Sequence, residues 1–125
     1  MKHRGSCHCG TVTFEVEAPA VIDAVRCNCS MCSKTGFVHL IVPKEDFHLK
    51  SGADIITTYT FNTHTAKHTF CSVCGVKSFY TPRSHPDGIS VNVNCLDPGT
   101  TEGINYSDFD GANWEENIEN LRSKD

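Results

Sequence analysis

Eight cysteines among 125 residues carry most of the chemistry this sequence could perform. Seven of them fall in three tight clusters: Cys7-His8-Cys9, Cys27-Asn28-Cys29-Ser30-Met31-Cys32 and Cys71-Ser72-Val73-Cys74-Gly75. Tetrahedral zinc with Zn–S bonds of about 2.3 Å brings its sulfurs to about 3.8 Å from one another, so thiolate ligands come as close pairs. A C-x-x-C turn supplies one pair from a single knuckle, and Gly75 directly after it can take the left-handed backbone that closes the knuckle. A C-x-C in extended chain supplies another, because residues i and i+2 face the same side of a strand. The simplest assembly is one closed, structural zinc site on Cys7, Cys9, Cys71 and Cys74. The middle cluster differs, with three thiolates on Cys27, Cys29 and Cys32. Three protein ligands leave a fourth position for water or substrate, the usual arrangement of catalytic zinc. The spacing equally permits a second structural site or a redox cluster there. The expectation is two zinc ions per chain.

Proton transfer beside such a site calls for a group titrating near neutrality, and seven histidines compete for the role. His39, seven residues after Cys32 on an expected strand, is the candidate acid/base; the alternative is a packed or surface histidine. His68, three residues before Cys71, could donate to a metal-bound sulfur. His8 lies between two ligands and is expected to point away from the metal. Arg83, with Ser84 and His85 in an 82–88 loop, could grip a ligand's carboxylate, unless that loop is merely solvated. Cys95 stands alone. Either it is a small buried hydrophobe or it closes the second site as a fourth ligand.

The elements that must position these groups read as strands. Residues 11–17 alternate, with Val12, Phe14 and Val16 on one face and Thr13, Glu15 and Glu17 on the other. Residues 20–26, 36–42, 55–61, 65–70, 76–80 and 89–94 are rich in β-branched and aromatic side chains and are separated by turn residues. One short C-terminal helix is expected, capped by Asn113 with Glu116 completing the box and Trp114, Ile118 and Leu121 on one face. The fold class is therefore mainly β: one small zinc-stabilised domain over residues 1–125, built of coiled antiparallel sheets and hairpins. Hydrophobic residues at 38% and charged residues at 21% are ordinary for a globular chain and argue against disorder. No apolar run reaches the roughly 20 residues of a membrane helix. The basic first residues are not followed by an apolar stretch, so no secretory signal is expected, and so many thiols belong to a reducing compartment, cytoplasmic or nuclear. A formal charge of −4 disfavours nucleic acid as a partner.

Taken in order, the clusters resemble the GFA domain family, named for the glutathione-dependent formaldehyde-activating enzyme, and within it the centromere protein V branch. The likeness runs through G-S-C-H-C-G-T-V, R-C-N-C-S-M-C, T-A-K-H-T-F-C-S-V-C-G-V, P-R-S-H-P-D-G, N-C-L-D and F-D-G-A-N-W-E, across residues 5–115. The resemblance implies a structural zinc on Cys7, Cys9, Cys71 and Cys74 and a catalytic zinc on Cys27, Cys29 and Cys32. It implies a carbon–sulfur lyase that reversibly joins glutathione, a small-molecule thiol, to formaldehyde as S-hydroxymethylglutathione. A tris-thiolate zinc is electron-rich and weakly Lewis-acidic, which favours holding the thiol over polarising the aldehyde. The rival reading is a non-enzymatic zinc module that binds a protein partner through its sheet.

Overall fold

Alternation along the chain sorts the residues of the computed structural model, which describes residues 1–61 and 64–110, into ten strands and one helix. The strands are β1 (Lys2–Ser6), β2 (Thr13–Glu17), β3 (Val21–Cys27), β4 (Val38–Pro43), β5 (Phe47–Ser51), β6 (Ile56–Tyr59), β7 (His68–Cys71), β8 (Phe79–Tyr80), β9 (Gly88–Asn92) and β10 (Gly103–Phe109). Helix α1 spans Ser30–Thr35. Three sheets result, with strand orders β1-β2-β5, β10-β3-β4-β9-β8 and β6-β7. This is the mainly β fold of small sheets that the sequence predicts. Its pairs are antiparallel except one: β10 runs parallel to β3, from Gly103 opposite Val21 to Phe109 opposite Cys27.

The period-2 rule places the core and the site on opposite faces of the five-stranded sheet. Leu40, Val42 and Val91 point one way and pack with Phe14 and Val16 of β2 and Ile22 and Ala24 of β3. His39 of β4 and Ser90 of β9 point the other way, as does Tyr80, which pairs with Ser90 across β8 and β9. A second apolar cluster gathers Cys7, Val12, Cys71 and Phe79, so the first and third cysteine clusters are part of a core.

Four elements are not anticipated by the apolar pattern. Strand β1 turns His3 and Gly5 inward, so its buried positions carry no hydrophobic signal. Both ring nitrogens of His3 meet carbonyl oxygens, of Thr100 at 3.0 Å and Pro19 at 2.9 Å. Strand β5 alternates over only five residues, between a 3-10 turn at Lys44–Asp46 and the Ser51-Gly52 turn. Strand β10 lies at a sheet edge and exposes most of its side chains. Helix α1 is too short for periodicity and is made by its caps: Cys29 at the N-terminus and Gly36, in the left-handed conformation, at the C-terminus. The expected 89–94 strand ends at Asn92 and gives way to a 3-10 turn over Val93–Cys95. The expected C-terminal helix around Trp114, Ile118 and Leu121 lies outside the described residues.

Candidate metal centre

Cys7 and Cys9 follow β1, while Cys71 and Cys74 end β7 and its knuckle. Their four sulfurs lie within 4.8 Å of one another. Cys7 and Cys9 are 3.6 Å apart and Cys9 and Cys71 are 3.7 Å apart, close to the edge of a ZnS₄ tetrahedron. Backbone N–H groups of Val12, Val73 and Cys74 point at the sulfurs of Cys7 and Cys71, at 3.4 to 3.5 Å. Gly75, at φ +77°, turns the chain out of the knuckle and sends its own N–H back to the Cys71 carbonyl. His8 is exposed and is not a member of the cluster.

The sulfurs of Cys27, Cys29 and Cys32 also lie within 4.8 Å of one another. Cys27 ends β3, Cys29 caps α1 by accepting from the Cys32 N–H at 3.4 Å, and Cys32 lies buried in the first turn. Hydrogen bonds from Cys27 and then Cys32 hold the Cys29 thiol well below its ordinary range, whereas Cys27 and Cys29, with burial, push Cys32 far up. Three thiols this close cannot all ionise against one another, and a cation among them resolves that conflict. Sulfur donors at these separations fit a soft-to-borderline metal such as zinc at both clusters. Among the described residues the second cluster has three members. Cys95 is not one of them: it packs against the main apolar core, where burial pushes its thiol up.

A histidine and a lysine sit against this second cluster. His39 is buried and its Nε2 lies 3.0 Å from the Cys32 sulfur, while Nδ1 lies 2.8 Å from the Ser90 hydroxyl and 3.3 Å from that of Tyr80. With Nδ1 accepting from Ser90, Nε2 carries the hydrogen and donates to sulfur. Burial, then the Lys77 charge, pushes the His39 pKa down to about 4, so the ring is neutral at pH 7. Lys77 is buried beside it and donates to His68 Nδ1 at 2.7 Å. His68 thus serves Lys77, where the sequence suggested a sulfur. Arg83 is half-buried in the β8–β9 loop, next to Ser84 and His85. A cleft of about 400 Å³ is lined by Arg26, Cys27, Asn28, Asp108, Phe109 and Asp110.

Sequence reasoning finds the seven cysteines that gather in the two clusters and His39 but misses Lys77, Tyr80, Ser90 and Asn92. Asn92 accepts from the Val38 and Asn94 N–H groups and donates to the Lys77 carbonyl, fastening three segments around the site. A signal for Lys77 does exist: it is the one charge inside the Val76–Tyr80 stretch, where a strand needs apolar residues.

A small β domain with two cysteine clusters that could each hold a metal ion is the class this fold and site define, and comparison with known proteins narrows it. The glutathione-dependent formaldehyde-activating enzyme family matches residues 2–109, and the chain belongs to that family. Those matches do not single out the centromere protein V branch. A putative glutathione-dependent formaldehyde-activating enzyme of Halomonas elongata is 35% identical over 78 residues, 56% of this chain and 50% of that protein. The match therefore spans about half the length of this curated relative. A crystal structure of a Rhodobacter sphaeroides protein superposes with a TM-score of 0.70 at 38% identity, covering 82% of this chain and 99% of the other. Among the described residues no helix is long and apolar enough to cross a membrane.

Proposed function

We propose that this protein is a zinc-dependent carbon–sulfur lyase that joins and separates glutathione and formaldehyde through S-hydroxymethylglutathione, with residues 1–125 acting as one domain. The observation that carries this reading is the contrast between a four-sulfur cluster inside a core and a three-sulfur cluster beside a cleft. Zinc on Cys7, Cys9, Cys71 and Cys74 is structural in this reading. Zinc on Cys27, Cys29 and Cys32 supplies a position that favours the thiolate form of an incoming thiol. The remaining work falls to the protein. His39 donates its Nε2–H to Cys32 and is itself fixed by Ser90, so it orients a ligand and moves no substrate proton. Asn92 holds β4, β9 and the Lys77 backbone in register around the cluster. The cleft beside Cys27 has the volume for a small peptide thiol; Arg83 does not line that cleft, and its grip on a glutathione carboxylate is carried by the sequence resemblance alone. Thiolate ligands of this number suit a reducing compartment, and the cytoplasm is the one this reading favours.

Zinc content per chain, measured before and after mild chelation with and without glutathione, tests the reading. Two equivalents are expected, one labile and protected by glutathione. Two equally inert equivalents, indifferent to glutathione, would replace the lyase with a closed zinc module that binds a protein.

A further inference from the structure

Strands β3 and β10 run parallel and stop together, which brings two strand ends to one place. Asp108 stands opposite Arg26, and Phe109 stands opposite Cys27, the last residue of β3. Just beyond, the Asn28 N–H donates to the Phe109 carbonyl at 3.3 Å, and its side-chain amide donates to Asp110 Oδ1 at 3.0 Å. Side chains that alternate across a sheet meet where its strands end, and the cleft of about 400 Å³ there takes its lining from both faces. Cys27 belongs to that cleft and to the three-sulfur cluster as well. A ligand whose sulfur reaches the cluster can lay the rest of its length along Arg26, Asp108 and Asp110.

Arg26 is the one cation of this lining, and it is held from two sides. Its Nε donates to Asp108 Oδ1 at 3.2 Å, and its guanidinium carbon lies 5.0 Å from the centroid of the Tyr106 ring. Both partners come from β10, two residues apart and so on one face of that strand. An ion pair as exposed as this one contributes little to stability. What it does is fix the guanidinium through Nε. The two terminal Nη groups, which enter no other hydrogen bond among the described residues, remain as the planar fork that matches a carboxylate. Asp108 and Asp110 place the opposite charge on the same cleft. One cation beside two carboxylates complements a ligand that carries both an ammonium and a carboxylate. A simple anion would be repelled by the aspartates, and a simple cation by Arg26.

We propose that this cleft is a headgroup site for the α-amino-acid end of the thiol, with Arg26 taking its carboxylate and Asp110 its ammonium. Asp108 and Tyr106 are positioning residues that hold the guanidinium. The inference rests on the lyase reading for the identity of the thiol and names the end of it that is recognised. Glutathione has two carboxylates, and only the one on its γ-glutamyl end shares a carbon with an ammonium. That end lies several bonds from the sulfur, so the cleft can hold it while the sulfur stays at the cluster.

Two truncated peptides separate the two contacts: glutaryl-cysteinylglycine, which lacks the ammonium, and γ-aminobutyryl-cysteinylglycine, which lacks the carboxylate. Titrated into the zinc-loaded protein by calorimetry, each should bind about tenfold more weakly than glutathione, the effect of one hydrogen bond between charged groups. Arg26 and Asp110 are exposed, so neither substitution below disturbs the core. Arg26→Gln should lower glutathione affinity by the same factor and make loss of the carboxylate cost nothing further. Asp110→Asn should do the same for the ammonium. Tyr106→Leu should weaken glutathione about threefold and leave the γ-aminobutyryl peptide unaffected. Equal binding of glutathione and both truncated peptides by the wild type overturns the headgroup site, as does a preference that survives Arg26→Gln and Asp110→Asn. So does loss of zinc in Arg26→Gln with the preference intact, since Arg26 would then only support its neighbour Cys27. A protein that shows the preference but accelerates no adduct exchange, followed by NMR, defeats the lyase reading and leaves the site standing. One that accelerates exchange without the preference does the reverse.

Discussion

His39 is held by three contacts, and what they leave it able to do is narrow. Buried, neutral and bonded on both nitrogens, it has no edge turned to a substrate. Its N–H to the Cys32 sulfur draws charge off that thiolate and fixes its rotamer. Replacing it by Ala should leave three cysteines in place but release second-site zinc to a chromophoric chelator about 10–100-fold more readily, with Gln recovering part of the loss. An unchanged release would mean that the contact with Cys32 has no hold on the metal. At this scale the cysteines were legible because a ligand set is written in local spacing. His39 was legible as a residue but not in its role, because the role depends on Ser90 and Tyr80, 51 and 41 positions away. Lys77 was hidden for the same reason, its partners being aromatic rings rather than a carboxylate that charge patterning would expose.

Strand β1 owes its place to close approach instead of to apolar burial. A Cβ on Gly5 would stand 2.5 Å from the Cys95 carbonyl oxygen and 2.5 Å from Cζ of Phe14. Both are held: the first is backbone beside the Gly5–Leu96 bridge, the second a buried core ring. Gly5→Ala should therefore lower unfolding free energy by about 1–3 kcal/mol, read from a denaturation midpoint, although it adds apolar volume. A neutral outcome would show that the strand can move off the core without loss. Strands β2, β4 and β9 were readable because they present apolar residues at period two to one core. Strands β1 and β10 were not, since one buries a histidine and a glycine and the other is an edge. The parallel pairing of β10 with β3 has no local signature at all; it joins segments 82 residues apart.

Over the whole molecule the two clusters have unequal structural duties. Cys7 and Cys71 are buried in an apolar cluster with Val12 and Phe79, so a metal held there would be part of what that core packs around. Cys27 and Cys29 are only half-buried at the outer end of β3 and the cap of α1. Cys71→Ser should remove one zinc equivalent and lower the melting temperature steeply, whereas Cys29→Ser should remove the other with a small change in melting and loss of lyase turnover. Equal losses of stability in the two variants would contradict this division.

The first cluster also ties together positions 62 residues apart, Cys9 and Cys71. During synthesis the Cys27–Cys32 triplet leaves the ribosome as a complete ligand set while Cys71 and Cys74 do not yet exist. In the two-zinc reading, metal supplied to the growing chain would therefore meet the triplet first, with Cys7 and Cys9 close enough in sequence to compete for its fourth position. The fastening cluster is the last to be completed. Until the 71–74 knuckle is made, Cys7 and Cys9 after β1 stay untied and exposed to oxidation before the fold can close over them.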